Sequence, residues 1–431
     1  MRVLALLLPA LCLASCHRGG LPPRPDGAAV VVAVENPEDA IPKAAETEPN
    51  DTPAQAQRLS LTEAGPVAVN ADLSPHPAGT VARRDVDFFR IDPPARDAGV
   101  APDAGPPAPR LVLRAEVHPA TGLPVTLEAT DEAGHALIAV TGQPGETVVI
   151  PNLAVRAAPV LLRVRAAAGE APPLTTYKLV ARFAPFDAGA EIEPNGDATH
   201  ATDLSLGGEA VGYLGWHHDQ DWYRLSTTGV AEGSVLSADV DPIVDVAATL
   251  QLYAADGHKL SEAHGRKGER VVLRSVRIPP SEQSPFLSLV VRADAGWSAD
   301  ARYNLRPRAD LPKAGTESEP NDDVDHAQPI EDGTAVGYLA RGDVDFYRYT
   351  TPGIAVIDVE VAPPERAAVE VSLQRGDGTL LGRAESSRHG PARIAGASVP
   401  GGPVFIRIAL KKGSGAPDEP YRLTVGAPAS Q

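Results

Sequence analysis

Glu46-Thr47-Glu48-Pro49-Asn50-Asp51 recurs as Glu191-Ile192-Glu193-Pro194-Asn195-Gly196 and again as Glu317-Ser318-Glu319-Pro320-Asn321-Asp322. A second motif follows each copy: Asp85-Val86-Asp87-Phe88-Phe89-Arg90, Asp219-Gln220-Asp221-Trp222-Tyr223-Arg224 and Asp343-Val344-Asp345-Phe346-Tyr347-Arg348. Each copy closes on a Tyr-x-Leu: Tyr177-Lys178-Leu179, Tyr303-Asn304-Leu305 and Tyr421-Arg422-Leu423. Copies two and three also share Ala210-Val211-Gly212-Tyr213-Leu214 and Ala335-Val336-Gly337-Tyr338-Leu339. The first motif starts 145 and then 126 residues apart. Landmarks in the same order three times mean three copies of one module.

Between landmarks the pattern is that of strands. Ser234 to Val240, Ala248 to Tyr253, Arg270 to Ile278 and Pro285 to Arg292 are short, rich in Val and Leu, and partly alternating. Turns such as Ala255-Asp256-Gly257, Arg375-Gly376-Asp377-Gly378 and Asp131-Glu132-Ala133-Gly134 separate such runs and read as hairpins. The spacing predicts an all-β protein, a β-sandwich of roughly eight strands per copy. Composition agrees. Of 431 residues, 39 are Gly and 43 Pro, which argues against a helical bundle. Hydrophobic residues make up 43% but aromatics only 4%, so the cores must be built from Val, Leu, Ile and Ala. A formal charge of −17 repels phosphate backbones and excludes nucleic acid as a partner.

The N-terminus reads as an address. Arg2 precedes the apolar run Val3 to Leu13, too short to span a bilayer, and the run ends in Leu13-Ala14-Ser15-Cys16. This resembles the bacterial lipoprotein signal, with residues 1–15 as signal peptide and Cys16 as the acylated (palmitate-bearing) first residue of an exported chain. Cys12 and Cys16 are the only cysteines, so the expected mature chain has no disulfide. The lipid is expected to anchor the protein to, and not through, a membrane of the bacterial cell envelope. His17 in place of Asp after the Cys favours the outer membrane. Residues 16–45, with Leu21-Pro22-Pro23-Arg24-Pro25, read as a disordered tether. The sandwiches are expected at 46–186, 187–312 and 313–431, with a disordered insert at 95–109 in the first.

Taken together, the landmarks resemble the bacterial pre-peptidase C-terminal domain (PPC domain): a Glu-Pro-Asn-Asp start, an Asp-x-Asp-aromatic-aromatic strand and a Tyr-containing last strand, over about Glu46 to Val425. The resemblance implies jelly-roll-like sandwiches that are non-catalytic and usually appended to secreted proteases. No segment of catalytic-domain size remains outside the copies. The expected function is therefore binding or scaffolding at the cell surface, toward an extracellular protein or polysaccharide. The alternatives are an accessory subunit of a separately encoded exported protease, or a cryptic hydrolase. A hydrolase would need a convergent polar pocket holding a perturbed base, and none is expected.

Calcium is the expected cofactor. In an extended segment residues i and i+2 share a face, so Glu46 and Glu48 present two carboxylates together. Asn50 and Asp51 add oxygens from the turn, and calcium takes six to eight hard oxygens. The resemblance to calcium-binding collagenase domains carries the ligand role to Glu46, Glu48, Asn50 and Asp51, and to Glu317, Glu319, Asn321 and Asp322. It adds Asp85 and Asp343 as later ligands. In copy two the set is Glu191, Glu193 and Asn195, and this copy ranks lowest because Gly196 replaces the Asp. The competing reading is a lead-in strand and turn with solvated Glu side chains.

Other constellations carry less. Adjacent His217 and His218 point apart in a strand, which disfavours zinc. Phe88 and Phe89 cannot both face one core, so one is expected at a sheet edge or a domain junction. Arg375-Gly376-Asp377 reads as a hairpin turn, and Asn50-Asp51-Thr52 as a glycosylation sequon without meaning in a bacterium.

Overall fold

A computed structural model of the chain describes residues 41–428 apart from 42, 63–64, 74–84, 94–110, 120–121, 156–157, 168–174, 188, 366, 388–389 and 412–418. The signal, Cys16, most of the tether and the insert 95–109 lie outside the described residues. Among those described there is no α-helix, and none long and apolar enough to cross a membrane.

The first sandwich contains β1 (Lys43–Ala45), β2 (Gln57–Leu59), β3 (Val67–Asp72), β4 (Val86–Ile91), β5 (Leu111–Pro119), β6 (Val125–Thr130), β7 (Ala136–Thr141), β8 (Val148–Ala154), β9 (Val160–Ala166) and β10 (Thr176–Pro185). The second contains β11 (Thr202–Leu204), β12 (Ala210–Leu214), β13 (Gln220–Ser226), β14 (Val235–Val240), β15 (Ala247–Ala254), β16 (Lys259–His264), β17 (Val271–Arg277), β18 (Phe286–Ala295) and β19 (Ser298–Asp310). The third contains β20 (Gln328–Pro329), β21 (Thr334–Gly337), β22 (Val344–Thr351), β23 (Ala355–Ala362), β24 (Val369–Gln374), β25 (Leu380–Glu385), β26 (Ala392–Val399), β27 (Gly402–Leu410) and β28 (Tyr421–Gly426).

Three pairs of sheets repeat one topology. The orders are β1-β3-β10-β5-β8 with β2-β4-β9-β6-β7, β12-β19-β14-β17 with β11-β13-β18-β15-β16, and β21-β28-β23-β26 with β20-β22-β27-β24-β25. In the first sandwich β3-β10-β5-β8 and β4-β9-β6-β7 are the two sheets of an eight-stranded jelly roll. The short strands β1 and β2 add to their edges in parallel. β1 brings Lys43–Ala45, read above as tether, into the fold. The hairpin turns expected at 131–134, 255–257 and 375–378 join β6–β7, β15–β16 and β24–β25, with Gly134, Gly257 and Gly378 at positive φ.

Alternation sets the cores. In β5, Leu113, Ala115 and Val117 are fully buried while Arg114 and Glu116 pair outside at 2.7 Å. Each sandwich has its own aliphatic core, around Leu127 and Ile150, Leu250 and Leu289, and Val371 and Ile406. Phe89, Tyr223 and Tyr347 enter these cores at 0% exposure. The preceding aromatic turns to the outer sheet face, Phe88 beneath the Arg163 guanidinium and Trp222 stacked on Tyr253. Phe88 thus lies on the outer face of β4, which β2 flanks only from Phe89 to Ile91.

Candidate metal centre

The lead-in segment of each sandwich crosses the open end between the sheets. Glu48-Pro49, Glu193-Pro194 and Glu319-Pro320 are all cis peptides. The Asn after each Pro fixes the segment from both sides. Its carbonyl accepts from Phe88, Trp222 or Phe346 N–H at 3.0, 3.0 and 2.8 Å. Its own N–H donates to the side chain of Glu48, Glu193 or Glu319, at 2.9 Å in each case. The first Glu is anchored by a backbone N–H of the strand alongside: Asp72 to Glu46 at 2.9 Å, Tyr213 to Glu191 at 3.1 Å, Tyr338 to Glu317 at 2.6 Å.

Against these two Glu lies the second Asp of Asp-x-Asp. Glu46, Glu48 and Asp87, Glu191, Glu193 and Asp221, and Glu317, Glu319 and Asp345 form three clusters, each with ligand oxygens within 4.8 Å of one another. Tyr177, Tyr303 and Tyr421, from the closing Tyr-x-Leu, donate to Asp87, Asp221 and Asp345 at 2.5 Å. In the second and third sandwiches that Tyr also meets Tyr223 or Tyr347, hydroxyl to hydroxyl, at 2.7 and 2.6 Å. Asn50 donates its side-chain amide to Glu46 at 3.1 Å, and Asn195 donates to Glu191. Asn321, with its amide nitrogen facing the carboxylates, donates to Glu319 and Asp345 at 3.3 and 3.1 Å.

Burial makes the clusters electrostatically costly. Glu191, Glu193, Asp219 and Asp221 are at most 2% exposed. Desolvation pushes Glu191 up to about 7, and desolvation plus the neighbouring carboxylates holds Glu193, Asp219 and Asp221 well above the usual range. The leading influences on these four include no Lys, Arg or His. Burial likewise raises Asp87 to about 10, Glu317 to about 8 and Glu319 to about 9, with Coulombic repulsion adding in each. The buried Oδ1 atoms of Asn50, Asp87, Asn195 and Asp221 have no hydrogen-bond donor. A set of hard, acidic oxygens, some with lone pairs unused, fits a calcium ion by donor chemistry.

The expected ligand set is corrected in three respects. Asp51 is exposed and outside the clusters, because the residue after Asn already turns to solvent. Copy two, ranked lowest from sequence because Gly196 replaces the Asp, holds the most enclosed Glu-Glu-Asp cluster of the three. Asp87, Asp221 and Asp345 were missed, as was Asp219. Asp85 is buried beside Asp87 and adds to its repulsion. Asp322 and Asp343 join Glu319 in a fourth cluster.

That cluster opens into a groove of about 630 Å³ between the second and third sandwiches, which Arg274, His326 and Arg341 also line. Desolvation raises Asp343 to about 6. A convergent polar pocket with perturbed carboxylates thus exists, contrary to expectation. His217, set aside as a zinc ligand, lies 3.4 Å from Glu146 and edge-on to Trp297 at the junction of the first two sandwiches.

No family model matches the chain, and no curated protein matches it. Among solved structures, the PBSX exported protein XepA is similar at 9% identity over 58% of this chain and 88% of that one, with a TM-score of 0.19. The CUB1-EGF-CUB2 domain of human MASP-1/3 is similar at 11% identity over 51% and 99%, TM-score 0.15. The STIV MCP is similar at 9% identity over 51% and 96%, TM-score 0.19. At these scores the likenesses carry no argument about this chain.

Proposed function

We propose that the chain is a non-catalytic, lipid-anchored protein of a bacterial envelope, presenting three PPC-like sandwiches as binding or scaffolding modules, each closed by a calcium ion. The observation that carries the reading is the repetition of one carboxylate cluster at one place in three sandwiches, buried throughout in the second and third. A catalytic site has no reason to recur in copies where it is sealed, as in the second sandwich. A clasp that fastens the lead-in segment to the Asp-x-Asp strand does. Bound calcium would offset the mutual repulsion of these carboxylates. Glu191, Glu193 and Asp221 and their counterparts would hold it, and the Tyr hydroxyls orient the Asp.

Thermal unfolding of the full chain in EDTA and then in millimolar calcium tests this. A ligand that binds only the native state must raise the melting temperature. We expect a calcium-specific rise that magnesium does not reproduce. Asp221→Asn should raise the melting temperature in EDTA, by removing a buried like charge, and shrink the calcium-induced rise. No calcium effect on the parent chain would reduce the clusters to proton-sharing acids and remove the cofactor from the proposal.

A further inference from the structure

The two junctions within the chain are one joint made twice. At the first, Ala154 N–H donates to Glu193 O at 2.9 Å and Glu193 N–H donates to Asn152 O at 3.2 Å. At the second, Arg277 N–H donates to Glu319 O and Glu319 N–H to Ser275 O, both at 2.8 Å. In each case the lead-in segment of one sandwich adds in parallel to the edge strand, β8 or β17, of the sandwich before it. Glu146 and Glu269, just before those strands, take side-chain contacts from the next sandwich: Trp297 at 2.9 Å and Arg341 at 3.4 Å.

The third sandwich has the same edge. β26 ends its sheet as β8 and β17 end theirs, and its pairing with β23 slips between Ile357 and Val359 as β5–β8 slips between Leu113 and Ala115 and β14–β17 between Leu236 and Ala238. Aligned on that slip, Gly396, Ala397 and Ser398 take the places of Asn152, Leu153 and Ala154, and of Ser275, Val276 and Arg277. Gly396 and Ser275 share a positive φ, 64° and 53°. Among the described residues β26 pairs only with β23. Ala395 and Gly396 are exposed where Pro151 and Asn152 are buried. Ile354 and Val356 lie exposed on β23 and its approach, β28 having ended before reaching them.

At the other end, Glu46-Thr47-Glu48-Pro49 is the matching lead-in segment of the first sandwich. Thr47, Glu48 and Pro49 are exposed, whereas Glu193 and Glu319 are 2% and 8% exposed under their neighbours. The described residues thus hold both halves of the joint, an exposed lead-in segment in the first sandwich and an exposed edge strand in the third.

We propose that the protein associates head-to-tail with a second copy of itself, the Glu46–Pro49 segment of one copy adding to the open edge of β26 in another. Glu48 then takes the place of Glu193 and Glu319, accepting from Ser398 N–H and donating to Gly396 O. The two patches differ, so the contact is heterologous and the docked pair still offers one head and one tail. Gly390 stands where Glu146 and Glu269 stand at the inner joints, so the joint between copies lacks that contact and is the weaker, reversible one.

Sedimentation velocity of the full chain over a wide concentration range reads this. The expected result is a mass that climbs past the dimer without a plateau. Ser398→Pro removes the outward N–H of β26 and leaves its bonds to β23, as an edge strand tolerates. It should weaken association by about tenfold or more. A second measurement serves if that variant misfolds. Thr47→Cys and Ser398→Cys are placed singly in Cys12→Ser, Cys16→Ser chains and treated with a short bis-maleimide. Cross-links should form between unlike chains and not between like ones. A monomer at every concentration, unchanged association in a folded Ser398→Pro chain, or cross-links between like chains would each overturn the proposal.

Discussion

Gly212 and Gly337 sit where no side chain fits. A Cβ at Gly212 would lie 2.3 Å from the Tyr303 hydroxyl, and one at Gly337 equally close to Tyr421. The first sandwich carries Ala71 at this place, and there Phe89 replaces the second Tyr of the hydroxyl pair. One methyl and one hydroxyl are exchanged across the same narrow space. Gly212→Ala should therefore destabilise the second sandwich by about 1–3 kcal/mol, through overpacking, in a denaturant titration. Had Phe89 not lost its hydroxyl, Ala71 would carry the same penalty. This exchange also explains why the Ala-Val-Gly-Tyr-Leu landmark is visible in two copies only. Its first-copy form, Val69-Asn70-Ala71-Asp72-Leu73, keeps the strand and loses the letters. The inward placement of Asp221 was legible in principle. Asp221, Tyr223 and Leu225 are in phase, so a carboxylate two residues before two core side chains must point inward.

The lead-in segment and the Asp-x-Asp strand are held together against their own charge. Glu46, Asp87, Glu191, Glu193, Asp221, Glu317, Glu319 and Asp345 have folded-state values above their unfolded ones, so without a cation they favour the fold only while protonated. Their contribution is complete below about pH 4 and is lost as pH rises through about 7 at Glu191 and about 8 at Glu317. Acids held low, such as Glu116 at about 2 beside His118 and Arg114, act only below that window. In EDTA the chain should melt higher at about pH 5.5 than at about pH 8.5, and calcium should narrow or reverse the difference. A melting temperature that rises with pH in EDTA would contradict the burial of these groups as acids. Strand positions, hairpins and the sandwich itself follow from alternation and turn residues, and were legible for that reason. Which edge receives the next module was not, because backbone hydrogen bonds to an edge leave no pattern in side-chain type.

Across the molecule, stability passes between neighbours. The second sandwich takes its lead-in pairing, and the Asn152 amide bonds to Glu191 at 2.9 and 2.8 Å, from the first. Residues 187–312 alone should unfold about 4 °C or more below the same sandwich within 43–312, as nearest-neighbour coupling requires. Equal melting would make the joint a contact without energetic weight. The proposed lipid anchor has its own test: Cys16→Ser should move the protein from the membrane to the soluble fraction, and retention would end that reading. The joint has a further consequence for the history of the chain. Because each module carries both the segment that docks and the edge that receives it, a duplicated copy inserted in tandem meets a fitting neighbour on either side from the start. Array length can then grow or shrink by whole modules between related genes, with no new surface to evolve, and lineages that share this joint should differ in copy number more readily than in the sequence of the joint itself.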